Sequence, residues 1–227
     1  MSDESTRRDF LRIMGVSSGA LLVGATGCSG ASSQSDNGSD AGGGDADRAD
    51  SSGGGECEVT GSDIEGPFHL DDAPERTVLA DEDEPGERLV IEGTVYGPDC
   101  ETPLERALLD VWQADAEGDY HGGEEDDYRL RGQLVTDADG HYSFESIMPG
   151  NYPMGEGLMR PAHIHFTISY PDLPPLTTQM YFAGDPHLAE DDPCSTCNSG
   201  DSTLIVDLEE GEGDIDWRGS FDIVLDG

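Results

Sequence analysis

Apolar and polar residues alternate in short runs from residue 88 towards the end of the chain. Arg88–Tyr96 (RLVIEGTVY) and 107–113 (ALLDVWQ) show alternation or a continuous apolar run, as do 133–136, 141–144, 163–170, 177–182, 202–208 and 220–225. A period of two sends successive side chains to opposite faces, the pattern of a strand with one face buried. Turn chemistry separates the runs, most plainly Asp137-Ala138-Asp139-Gly140 before His141. Few stretches carry a helical period, and Pro and Gly punctuate throughout. Eight or so short strands in about 170 residues predict an all-β domain, a β-sandwich or barrel.

Upstream the pattern changes. Thr6-Arg7-Arg8-Asp9-Phe10-Leu11-Arg12 precedes a short apolar stretch, 13–25, too short for a stable bilayer anchor. It resembles a twin-arginine export signal. Gly24-Ala25-Thr26-Gly27-Cys28 resembles a lipoprotein cleavage box, in which small residues precede a Cys that receives lipid. The plainer alternative is a small-residue cleavage site with an incidental Cys. Residues 28–56 are almost entirely Ser, Gly, Ala and Asp and cannot bury enough apolar surface to fold. As a flexible coil that stretch spans roughly 30 Å. The expected organisation is a signal over 1–27, a disordered linker over 28–56 and a β-domain over 57–227. The expected address is extracytoplasmic, reached by the twin-arginine route, with a lipid anchor at Cys28 holding the protein to the cell surface.

Charge narrows the partners. The 227 residues hold 50 Asp and Glu against 11 cations, all of them Arg, for a net charge of -39. That length allows one ordinary domain with tails. Such a surface repels phosphate, which excludes nucleic acid as a partner, and is not drawn to anionic lipid head groups. The β-domain alone carries 41 acids against seven Arg, or -34, so the acidity belongs to the folded surface. A high-salt habitat is expected, since at molar salt the Debye length is about 3 Å and self-repulsion is screened. An acidic secreted protein from an ordinary habitat is the alternative. With Cys28 set aside, Cys57, Cys100, Cys194 and Cys197 could form two disulfides in three possible pairings. Cys194-Ser195-Thr196-Cys197 also has zinc-knuckle or redox spacing, but no second CxxC exists, and a local disulfide is more economical.

The chemistry concentrates around His163-Ile164-His165. In a strand, residues i and i+2 share a face, so both imidazoles can converge on one ion. Two satisfied histidines on a half-buried face are the plain alternative. Arg160-Pro161-Ala162 immediately precedes the pair: Pro starts the strand, and an Arg at its mouth can meet developing negative charge. A cupin would want Glu where Ser169 stands, and an amidohydrolase HxH needs a larger α/β barrel. Copper-zinc superoxide dismutase needs further histidines that His69, His121, His141 and His187 do not supply in context. Tyr120 and Tyr152 each stand in an expected loop just past a strand. A phenolate is a hard oxygen donor that suits ferric iron, although each Tyr taken alone reads first as a packed aromatic with a wet hydroxyl.

Together, Glu65-Gly66-Pro67-Phe68, residues 106–115 (RALLDVWQAD), Thr136-Asp137-Ala138-Asp139-Gly140, Tyr152-Pro153, 160–166 (RPAHIHF) and 179–185 (QMYFAGD) resemble the intradiol ring-cleavage dioxygenases. The resemblance covers about residues 64–225 and implies a β-sandwich whose loops and one sheet edge cradle a non-haem Fe(III). It implies Tyr120, Tyr152, His163 and His165 as iron ligands. Tyr152 matches the tyrosinate that leaves and takes a substrate proton, and Tyr120 the one that stays. Arg160 and Gln179 match residues that stabilise charge on the substrate ring. The implied reaction cleaves a catechol-type substrate with O2 between its hydroxyl-bearing carbons, giving a cis,cis-muconate-type diacid, with no reductant or organic cofactor. Two departures stand out. The helical dimerisation region of catechol 1,2-dioxygenases has no counterpart before residue 57, and Met154 replaces the aromatic that often follows Tyr-Pro in the protocatechuate branch. A homo-oligomer is possible. The alternative function is a non-catalytic, transthyretin-like surface β-sandwich that binds without turnover, a module that needs neither both His nor Arg160 and Gln179. A metal-storage or superoxide-handling sandwich is a third.

Overall fold

The computed structural model describes residues 58–122 and 127–227. The signal, the linker, Cys28 and Cys57 lie outside the described residues. Strands β1 (Arg88–Tyr96), β4 (His141–Ile147), β10 (Leu208–Glu210), β11 (Trp217–Ser220) and β12 (Ile223–Val224) make one sheet in the order β10-β11-β1-β12, with β4 antiparallel to β1. Strands β2 (Leu108–Gln113), β3 (Arg131–Val135), β7 (His163–Ser169), β8 (Leu176–Phe182) and β9 (Ile205–Val206) make the second, ordered β3-β2-β7-β8-β9. Between β4 and β7 a small hairpin pairs β5 (Tyr152–Gly155) with β6 (Leu158–Arg160). The all-β sandwich expected from alternation is the fold observed.

The core lies between the two sheets and follows from the period of two. Leu89, Ile91 and Val95 of β1 and Tyr142 and Phe144 of β4 face Leu109 and Val111 of β2, with Ile164, Phe166 and Ile168 of β7. Phe166 sits centrally, its ring 5.4 Å from Phe221, 6.0 Å from Phe144 and 6.4 Å from Tyr142. The second sheet is buried on its other face as well. There β2, β7 and β8 present Trp112, His163, His165, Gln179 and Tyr181, none more than 3% exposed. A sheet with two covered faces has one for stability and one free to hold chemistry.

Three stretches depart from the expected strands. Residues 202–208 do not run as one strand: Asp201 accepts the Thr203 N–H at 2.9 Å and winds Ser202–Leu204 into a 3-10 turn. The chain then gives β9 to one sheet and, past Asp207, β10 to the other. Residues 220–225 are likewise divided between β11 and β12, both parallel to β1. At the break the Phe221 carbonyl folds onto Gly93 so closely that a Cβ there would lie 2.0 Å from the oxygen. Tyr152 begins β5 instead of lying in a loop, a strand hidden by Pro153 and by a Gly-Glu-Gly turn whose three residues all have positive φ. Cys194 and Cys197 form the expected local disulfide, and Cys100 is also disulfide-bonded.

Candidate metal centre

Cross-strand pairing assembles the floor of the site. His165 stands opposite Trp112 on β2 and Gln179 on β8, and Trp112 stands opposite Arg131 on β3. The Trp112 indole stacks on the His165 ring at 4.7 Å and 7°. His163 stands one step along, opposite Tyr181. The segment bearing Phe68 covers this face: Gly66 lies against His165, and the Phe68 ring stacks on Tyr120 at 4.3 Å and 7°.

Tyr120 is aimed by the loop after β2. The Asp115 carboxylate accepts the N–H groups of Glu117 and Asp119 at 2.9 and 3.0 Å and meets His121 Nε2 at 2.7 Å. Burial works against the Asp115 charge, but these donors outweigh it and hold the carboxyl below its usual range. Arg129 spans from Glu84 to His121, and Arg131 donates to the His121 carbonyl at 2.6 Å. Gly118, at φ +87°, lets the loop press on Asn151, whose oxygen would be 2.2 Å from a Cβ there. Asp115→Ala should therefore loosen the loop that aims Tyr120 and cost about 1–3 kcal/mol, the usual range for stranding the partners of a partly buried carboxylate. Thermal unfolding measures it, and unchanged stability would remove Asp115 from this role.

The three central atoms lie within hydrogen-bond distance. Tyr120 Oη is 3.0 Å from His163 Nε2 and 2.9 Å from His165 Nε2. His163 Nδ1 lies 2.7 Å from the Pro161 carbonyl, which can only accept, so that nitrogen carries the hydrogen and Nε2 presents a lone pair to Tyr120. Burial, then the nearby Arg160 charge, pushes the His163 pKa down to about 4. Burial, then His163, holds His165 neutral too, and its Nδ1 has no partner. Burial raises the Tyr120 phenol above its usual 10. Two neutral, buried imidazoles and a phenol oxygen converging on one point are a donor set suited to a hard, highly charged cation. Among the described residues no group of three or more His, Cys, Asp or Glu could hold a metal, so a cation here depends on phenol oxygen.

Tyr152 joins these three by ring contact. Its ring is edge-on to Tyr120 at 5.7 Å and to Phe68 at 5.6 Å, and it is half-buried. Opposite it across the hairpin stands Arg160. The Arg160 guanidinium donates to Gln179 Oε1 and Tyr181 Oη, both at 3.0 Å, and to the Asp192 carboxylate at 3.3 Å. Burial opposes its charge, but the bond to Asp192 prevails and the pKa is raised. Gln179 Nε2 donates to the Ile64 carbonyl at 2.7 Å, and Tyr181 donates to Asp63 at 2.7 Å. Gln179 thus anchors Arg160 through its carbonyl oxygen, and one of its two amide N–H groups is held by the Ile64 carbonyl. All six residues singled out in the sequence gather here. Asp63, Asp115, Tyr181 and Asp192 were missed as supports, because their partners are remote or carry no periodic signal.

Comparison with known proteins adds three likenesses. A family described as dioxygenase matches residues 64–227. Catechol 1,2-dioxygenase 2 of Acinetobacter lwoffii is 39% identical over 146 residues, 56% of this chain and 53% of that protein. Chlorocatechol 1,2-dioxygenase of Rhodococcus opacus is 36% identical over 173 residues, 66% and 65% of the two chains. The solved dioxygenase domain of a dioxygenase carbohydrate-binding protein fusion from Streptomyces sp. SirexAA-E superposes with a TM-score of 0.62 at 37% identity, covering 74% of this chain and 99% of that one. The chain spans between half and two thirds of the length of the curated relatives it matches.

Proposed function

Because the chain belongs to the intradiol dioxygenase family, matched over residues 64–227, we propose that it is a non-haem Fe(III) enzyme that cleaves catechol-type aromatics with O2 between the two hydroxyl-bearing carbons. Products would be cis,cis-muconate-type diacids. The observation that carries this reading is Tyr120 Oη at 3.0 and 2.9 Å from the Nε2 atoms of two buried imidazoles.

Tyr120, Tyr152, His163 and His165 would hold the iron. Bound there, Fe(III) supplies the Lewis acidity that keeps both catechol oxygens deprotonated and readies the ring for O2. The protein does the rest. Tyr152, at the start of the hairpin, would be the residue that yields its place and accepts a substrate proton. Tyr120, stacked on Phe68 and within hydrogen-bond distance of both imidazoles, would be the one that stays. Arg160, held by Gln179, Tyr181 and Asp192, is a fixed positive charge for negative charge growing on the ring, and needs no reorganisation to act. Phe68 stacks on Tyr120 and Trp112 on His165, so an aromatic ring braces each of these two residues.

Loading the purified protein with ferric iron should give a red-brown visible band from tyrosinate-to-iron charge transfer, which shifts when catechol is added and is followed by O2 uptake. Tyr152→Phe should weaken that band. An iron-loaded protein without colour would sink the ligand assignment; one that binds catechol without consuming O2 would leave the non-catalytic binding module as the better reading.

A further inference from the structure

We propose that the Cys194–Cys197 disulfide sets where the Arg160 guanidinium points, by closing a turn whose flanking amides hold the two carboxylates that position Arg160 and Tyr181. This rests on the dioxygenase reading above and adds a control over the charge that reading gives to Arg160.

Arg160 is gripped along one edge. Asp192 accepts Nε through Oδ1 and Nη2 through Oδ2, both at 3.3 Å, the side-on fork that fixes the plane of a guanidinium as well as its place. Gln179 and Tyr181 accept from the same Nη2 at 3.0 Å. Among the described residues Nη1 makes no hydrogen bond, so that end of the group is the one left to meet charge on a substrate ring. Each support is held in turn by a backbone N–H beside the disulfide. At its entry, the Cys194 N–H donates to Asp192 Oδ1 at 2.9 Å. Just past its exit, the Asn198 N–H donates to Asp63 Oδ2 at 2.9 Å, the same oxygen that accepts the Tyr181 hydroxyl at 2.7 Å. The Asn198 side-chain amide adds a bond to the Ser62 carbonyl at 2.6 Å.

Packing does little to shape this turn. Leu188 and Leu204 reach the core, but residues 189–203 between them carry no large apolar side chain. Ser195 and Thr196, inside the closed loop, are exposed. One backbone bond crosses the loop, from the Cys197 N–H to the Cys194 carbonyl at 3.2 Å. A closed loop this short restricts the unfolded chain less than a long one does, so the covalent bond does more for local shape than for the stability of the domain. Opening it takes two electrons and two protons from a dithiol, which leaves as its cyclic disulfide. The Cys194 and Asn198 amides are then no longer tied together, and Asp192 and Asp63 lose the frame they share.

The test replaces Cys194→Ser and Cys197→Ser together in the full chain, which leaves the disulfide of Cys100 in place. In the iron-loaded protein kcat for catechol should fall about 10- to 100-fold, the scale of a misplacement near 1 Å, while KM changes by less than about threefold. Iron content and the visible band should match wild type, because no ligand is touched. Added to Asp192→Ala, the Ser pair should cost less than it does alone, since both act on one guanidinium; losses that multiply in full would overturn the proposal. A second measurement needs no iron. In the metal-free protein, NMR should show the Cys194 and Asn198 amides and the Arg160 Nε–H exchanging at least about tenfold faster in the Ser pair. If the Ser pair does not fold, metal-free wild type treated with a dithiol reports on the same three groups. Unchanged exchange at all three, or an unchanged kcat, would overturn the proposal and leave the dioxygenase reading intact. Wild type that neither colours with iron nor cleaves catechol would overturn the dioxygenase reading, and the metal-free exchange rates would still decide the positioning.

Discussion

Tyr120→Phe should lower catechol turnover by at least about 1,000-fold, a loss of roughly 4 kcal/mol in transition-state stabilisation, and should sharply weaken the visible band. The substitution deletes one oxygen. The ring keeps its place against Phe68 at 4.3 Å, so the loop and fold have no reason to move. In the metal-free protein the lost hydroxyl costs about 1 kcal/mol, the net worth of an ordinary hydrogen bond. In the iron-loaded protein the loss is larger in kind. His163 and His165 are both held neutral by burial, so with Tyr120 gone the proposed donor set would keep only Tyr152 as an anionic atom to balance Fe(III). On the proposed mechanism Tyr152 would give way to substrate and so would not substitute for it. The checks are iron content, band intensity and O2 uptake, with thermal unfolding of the metal-free protein to show an unchanged fold. Activity within tenfold of wild type would remove Tyr120 from the ligand set.

What the sequence discloses about this site follows from how local each feature is. The two histidines were legible because β7 carries its own explanation: Ile164, Phe166 and Ile168 fill one face and leave His163 and His165 on the other. The family motifs then brought in Tyr120, Tyr152, Arg160 and Gln179, which no periodicity links. The supports of Arg160 were not legible. Asp192 lies 32 residues away, and Tyr181 reaches Asp63 across 118. Asp192 reads as one acid in an acidic chain until the fold buries it. The hairpin at 152–160 was missed for a different reason: strands of four and three residues joined by positive-φ turn residues show no alternation to read. The splitting of 202–208 reflects a change of sheet, which a run of apolar residues cannot signal.

The second large effect falls on stability. Phe166→Ala should cost about 3–5 kcal/mol, the usual range for deleting a buried aromatic ring, and lower the melting temperature by roughly 6–20 °C in a domain of this size. Phe166 is fully buried among Tyr142, Phe144 and Phe221, which come from β4 and the β11–β12 connection of the opposite sheet, so no single side chain can move in to close the void. The loss matters more here than in a near-neutral domain. A net charge of -34 pushes the folded state apart, and lowering NaCl from 1 M to 0.1 M lengthens the screening distance from about 3 to about 10 Å. The cavity cost is apolar and changes little with salt; the repulsion is electrostatic and does. Melts followed by circular dichroism should therefore show the variant folded at 2 M NaCl, but close to or past its midpoint at 0.1 M at room temperature. Wild type should stay folded at both. A shift below about 2 °C in high salt would mean that Phe166 does not hold the two sheets together. A deficit that grew several-fold as salt fell would mean that the cavity and the surface charge are coupled. Otherwise the two add, and the outer face of β7 keeps its histidines in place for as long as the inner face stays packed.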